Sequence, residues 1–149
     1  MADKVRNSII IELHVPDLDK VISFYSKLGF EISRYDKPNT EEQGYLSMTR
    51  KDAIGNTMIN FYGGDERVYT QSYFKQFPKD TIRGFEVGIV IPVSGIDQLY
   101  ESVNNNLGEY VVREIKEIQD HDLKWKDFRI KDPFGYYIRI SELIDWGQS

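Results

Sequence analysis

The sequence repeats itself: a strand, a helix and three further strands are written into residues 8–62, and the same order returns over residues 84–142. In residues 9–15, Ile9, Ile11, Leu13 and Val15 alternate with Ile10, Glu12 and His14, the period of two that a half-buried strand requires. Pro16 ends the strand, Asp17 is a suitable N-cap, and Leu18, Val21, Ile22, Tyr25 and Leu28 recur at helical spacing until Gly29. A helix over 17–28 follows. Residues 30–35 alternate as a second strand and residues 38–43 form a polar loop. Residues 44–50 and 56–62 are strands joined through turn-forming residues 52–55. The pattern restarts at residues 85–93, where Val87, Ile89, Ile91 and Val93 alternate with Glu86, Gly88, Val90 and Pro92. Residues 96–107 are helical in pattern up to Gly108, and strands follow at about 109–117, 122–131 and 136–142. An offset of 78 or 79 residues aligns Val15 with Val93, Leu18-Asp19 with Ile96-Asp97, and Leu28-Gly29 with Leu107-Gly108. One such unit is too small to close a core alone, so the repeat implies two modules sharing one structure.

The chain's 149 residues suit a single domain built from both modules, with a short tail at 143–149. No apolar run approaches the roughly 18 residues of a membrane-spanning helix, and the opening MADKVRNS has no hydrophobic signal core. With no cysteine, disulfides and thiolate metal sites are excluded, and residence in the cytoplasm is expected. The net charge of −5 argues against nucleic-acid binding and favours neutral or cationic ligands. Residues 63–83 are long for a connection inside a domain, and their aromatic stretch VYTQSYFKQF suits a short helix or a lid.

The end of the second module carries a more specific signal. In KDPFGYYIRISE, residues 131–142, Pro133 fixes its own φ and Gly135 supplies the positive φ of a tight turn. Ile138 and Ile140 then alternate with Tyr137 and Arg139. This turn and strand, together with the paired modules, resemble the vicinal oxygen chelate superfamily, the glyoxalase, bleomycin-resistance and extradiol dioxygenase fold. The resemblance covers about residues 8–142. It implies an α+β fold of two βαβββ modules in a curled mixed sheet, and a homodimer.

In the metal-dependent members of that family, ligands come from the first and fourth strands of each module. The resemblance places those positions at Ile10, Asn60, Gly88 and Arg139, none of which supplies a carboxylate or imidazole. Arg139 stands where the family's usual Glu would be. The pattern is closest to the metal-free, bleomycin-resistance-like branch, with no cofactor. A shifted site that includes Glu12, His14 and Glu86 is the alternative, and would serve a metal-dependent lyase, isomerase or dioxygenase. By strand parity, Tyr45, Met58, Tyr62 and Tyr137 face the open side, with Trp125 or Phe128 from a seventh strand of unfixed register. Aromatic faces offer apolar contact and cation-π capacity, so a small aromatic or cationic molecule is the expected partner. Arg139 is expected to anchor a ligand acceptor or to pair with Glu86.

Overall fold

The computed structural model describes residues 9–84 and 86–146. Both modules form as the repeat requires. In the first, β1 (Ile11–Val15) leads into α1 (Leu18–Ser26), then β2 (Phe30–Asp36), β3 (Gly44–Arg50) and β4 (Thr57–Gly63). In the second, β5 (Gly88–Pro92) leads into α2 (Ile96–Leu107), then β6 (Val111–Asp120), β7 (Leu123–Lys131) and β8 (Tyr137–Trp146). Each module is its own four-stranded mixed sheet, ordered β1-β4-β3-β2 and β5-β8-β7-β6, with its first and last strands parallel.

The registers explain the repeat residue by residue. Ile11 pairs with Ile59 in the first module and Ile89 with Ile138 in the second, so each sheet turns the same apolar row toward its helix. Asp17 caps α1 by accepting a hydrogen bond from Lys20 N at 3.0 Å, as its position before the helical pattern suggested. Leu18, Val21, Phe24 and Tyr25 are the buried face of α1, and Ile96, Val103 and Leu107 that of α2. These residues and the inward rows of both sheets form one continuous core.

The modules are also joined by polar contacts. The Tyr25 hydroxyl donates to Asp132 Oδ2 at 2.7 Å, and Asp132 Oδ1 accepts from the backbone N–H groups of Phe134 and Tyr136, both at 2.9 Å. The Asp-Pro-x-Gly turn is therefore more than a reversal of the chain: its aspartate, 3% exposed, receives a helix of the other module. Gly135 takes φ +98° there, the left-handed geometry expected of it. On the far side, Asp52 in the β3-β4 turn accepts from both the backbone N–H and the hydroxyl of Ser94, just ahead of α2.

The structure corrects one expectation and decides one choice that the sequence leaves open. The second module's first strand begins at Gly88, not at residue 85. Glu86 precedes it in a turn with φ +60°, exposed, so the alternation over 85–93 is strand only in its later part. Phe128 is fully buried in the core, and it is Trp125 that shares a face with Asp127 and Arg129. Among the described residues, no helix is long and apolar enough to cross a membrane.

Candidate functional site

The face of the first sheet opposite its core carries a polar and aromatic cluster. Register sets Glu12 beside Asn60 and His14 beside Tyr62 across β1 and β4, and Tyr45 beside Tyr62 across β3 and β4. Five of the residues expected at the site thus come together, with Met58 half-buried farther along β4. His14 Nε2 and Glu12 Oε2 lie 3.0 Å apart, and Asn60 Nδ2 donates to the Tyr45 hydroxyl at 3.0 Å. Burial, with the neighbouring Glu12 carboxylate, raises the pKa of Tyr45, so it stays a neutral phenol that can donate. The His14 ring packs on Tyr62 at 5.2 Å and on Phe74 at 4.8 Å between centroids. Two polar atoms of this cluster, His14 Nδ1 and Asn60 Oδ1, are buried with no hydrogen-bond partner among the described residues.

Phe74 belongs to the connection between the modules, which folds over the edge of β1. A 3-10 turn, Glu66–Thr70, begins it, capped by Asp65. Arg67 pairs with Asp65 and donates to the carbonyls of Asn39 and Glu42 at 2.6 and 3.2 Å, fastening the segment to the β2-β3 loop. At its other end, the Arg83 guanidinium lies 4.7 Å from the Tyr69 ring and donates to the His14 carbonyl at 3.3 Å. The Tyr136 hydroxyl reaches the same carbonyl at 2.9 Å. Between this segment and β1 lies a cavity of about 370 Å3, lined among others by Glu12, His14, Phe74, Phe77, Ile82 and Tyr136. Ligand pockets commonly span about 300–1,000 Å3, so the space suits one small molecule.

On the second sheet, Tyr137, Arg139 and Trp125 share the face opposite the core. Arg139 does not pair with Glu86. Its Nε donates instead to Asp127 Oδ2 at 2.8 Å, on the adjacent strand β7, and its guanidinium lies 5.8 Å from the Trp125 ring. Trp125 Nε1 donates to the same Asp127 oxygen at 3.1 Å. Asp127 is fully buried and also pairs with Arg113.

The donor set does not suit a divalent ion at the family's positions: register brings Asn60 and Arg139 to equivalent places, Ile10 lies just before β1, and Gly88 has no side chain. Among the described residues, no three His, Asp or Glu side chains form a metal-holding group, and Glu86 does not join Glu12 and His14 in one.

Phe74, Phe77, Arg83 and Tyr136 of the cavity, and Asp127 beneath Arg139, were not foreseen from sequence. The aromatic run in residues 63–83 signalled a lid, but not which strand it would cover. Asp127 was hidden because alternation along β7 does not say which residues of β8 stand opposite; the register sets Asp127 against Ser141 and Arg129 against Arg139.

Residues 9–140 match the family model described as Glyoxalase/Bleomycin resistance protein/Dioxygenase superfamily. Among solved structures, the chain is similar to a glyoxalase/bleomycin resistance protein/dioxygenase from Alicyclobacillus acidocaldarius, with TM-score 0.59, 15% identity, and coverage of 94% of this chain and 93% of that one. It is similar to UcmS2, with TM-score 0.62, 21% identity and coverage of 93% and 98%. It is also similar to TioX from Micromonospora sp. ML1, with TM-score 0.56, 14% identity and coverage of 96% and 100%. At these identities the likeness shows the fold alone. No curated protein matches the chain.

Proposed function

The chain belongs to the glyoxalase/bleomycin resistance protein/dioxygenase superfamily, and from that premise we propose that it is a small-molecule-binding protein that works without a metal, as a two-fold dimer in the cytoplasm. Its ligand is a compact aromatic compound held under the segment that joins the modules, and antibiotic sequestration is the role this reading favours.

The observation that carries the proposal is the cavity itself, about 370 Å3 with Phe74 and Phe77 on one side and the Glu12-His14 pair on the other. Apolar walls supply most of the affinity in such a site, and a few polar groups fix orientation. Phe74 is 37% exposed and Phe77 51%, so a ligand has aromatic surface left to cover. Covering 100 Å2 of apolar surface is worth about 2.5 kcal/mol before the cost of ordering the ligand. Glu12 is balanced in the lining by Lys79 and Arg83, so the walls favour an aromatic body over a net positive charge.

A thermal-shift screen with aromatic antibiotics, aromatic metabolites and cationic heterocycles tests the proposal. Compounds that raise the melting temperature of the wild type and lose that effect in Phe74→Ala support it. A screen in which every shift survives Phe74→Ala sinks the site.

A second reading is favoured by one contact, the 3.0 Å approach of His14 Nε2 to Glu12. A histidine-carboxylate pair is competent in proton transfer and as a partial metal site. In that reading the chain is a lyase, isomerase or dioxygenase of the same fold, and turnover on adding manganese, iron, nickel or zinc distinguishes it.

A further inference from the structure

The second sheet holds a charge arrangement that the proposed cavity does not use. Register places Arg113 opposite Arg129 on β6 and β7, and Arg129 opposite Arg139 on β7 and β8. Like charges directly opposite one another destabilise a sheet, so three guanidiniums in one row call for negative charge. Among the described residues, the ion pairs of all three converge on a single carboxylate, Asp127. It is shared unequally: Arg113 and Arg139 hold it closely, whereas Arg129 Nε stands 3.9 Å away. Among the described residues, these ion pairs leave two positive charges in excess, in a chain whose net charge is −5.

Three further features suit this row to receive an anion. Among the described residues, the Nε atoms of Arg113 and Arg129 are buried with no hydrogen-bond partner. The three side chains keep 28%, 29% and 28% of their surface exposed, enough for a small group to reach them. Flat rings flank them, with Arg129 6.0 Å from the Tyr137 ring and Arg139 5.8 Å from that of Trp125. Guanidinium groups bind planar oxyanions by paired parallel hydrogen bonds, and adjacent aromatic faces suit a ring attached to the anion.

We propose that Arg113, Arg129 and Arg139 form a docking site for the oxyanion of a small aromatic acid, a carboxylate or phosphate received chiefly by Arg129 with the ring against Tyr137 or Trp125. None of these residues lines the cavity beneath the connecting segment, so the site stands independently of the one proposed above.

Calorimetric titration of the full chain with benzoate, phenyl phosphate and inorganic phosphate, and with benzyl alcohol as the neutral comparison, tests this at low and at physiological salt. At least one aromatic acid is expected to bind saturably, one per chain, more weakly as salt rises, and benzyl alcohol is expected not to bind. The two aromatic acids tell a carboxylate site from a phosphate site, and inorganic phosphate shows what the ring contributes. Arg129→Met should weaken binding at least tenfold while leaving the melting temperature unchanged or raised, because it relieves the crowded row; Arg129→Lys should restore part of the affinity. Phe74→Ala should leave acid binding intact, so failure of the cavity reading leaves this outcome unaffected. The proposal is overturned if neither acid binds saturably, if benzyl alcohol binds equally, or if Arg129→Met binds like the wild type. A marked fall in the melting temperature of Arg129→Met overturns it too, since the row would then be structural.

Discussion

Replacing Asp52 by Ala should loosen the joint between the two modules. The Asp52 side chain is 6% exposed and that of Arg50 13%, and the two meet at 2.8 Å. The same carboxylate accepts from Ser94 N at 3.1 Å, Ser94 Oγ at 2.8 Å and Ile54 N at 3.1 Å. Burial alone would push its pKa up, but these donors outweigh burial and hold it well below the usual carboxylate range. Breaking a buried ion pair commonly costs about 3–5 kcal/mol. Arg50 keeps the Leu28 carbonyl at 2.8 Å, and Ser94 and Ile54 are exposed, so water can take over their N–H groups. The expected loss is therefore lower, about 2–3 kcal/mol, or roughly 4–12 °C of melting temperature for a chain of this size. A carboxylate whose folded pKa is lowered contributes stability that is complete above its unfolded value near about 3.9 and drains away as pH falls toward the folded value. The difference between wild type and variant in urea unfolding should thus shrink by about 1 kcal/mol between pH 7 and pH 3. A variant within about 0.5 kcal/mol of wild type at pH 7, or a difference that does not narrow in acid, refutes the reasoning.

Tyr25→Phe removes the helix-borne donor to Asp132 and should cost about 1–3 kcal/mol at pH 7 in denaturant unfolding. Burial raises the pKa of Asp132, against the pull of its donors, so its contribution to stability falls as pH rises from about 3.9 through the raised value. Losing the Tyr25 donor steepens that fall, and the variant should lie nearer to wild type at pH 4 than at pH 7. Gly63→Ala places a Cβ against the Val15 carbonyl oxygen, closer than van der Waals contact, at φ +126°. Strain of that kind costs about 1–3 kcal/mol before the clash is counted, so a variant with wild-type stability would contradict the β1-β4 geometry. Light scattering at several concentrations checks the proposed dimer, and a monomer at all of them removes it.

Much of the fold was legible because periodicity and breakers agreed. The alternation of Leu13 and Val15, the helical spacing from Leu18 to Tyr25 and the glycines that end each helix all point one way. The repeat then told which strands are equivalent. Pairing Ile11 with Ile59 and Ile89 with Ile138 is the structural form of that offset. Partners across strands were harder to read. Arg139 was correctly placed on the face opposite Ile138 and Ile140, yet its counter-charge lies on β7, and periodicity within one strand does not fix which residues of the next stand opposite. Glu86 looked like a strand residue because its neighbours alternate, but the chain turns there with positive φ. The cavity escaped for a different reason. Phe74 and Phe77 have no periodic pattern, and their position depends on Arg67 and Arg83 gripping backbone carbonyls far away in sequence.

The most direct test is the affinity of the best-shifting aromatic compound before and after exhaustive dialysis against a chelator, in the wild type and in Phe74→Ala. Binding without metal beneath the connecting segment predicts the same affinity after dialysis and a loss of about tenfold or more in Phe74→Ala, which corresponds to about 1.4 kcal/mol. Affinity that vanishes on dialysis and returns with a divalent ion, or that is indifferent to Phe74, contradicts it.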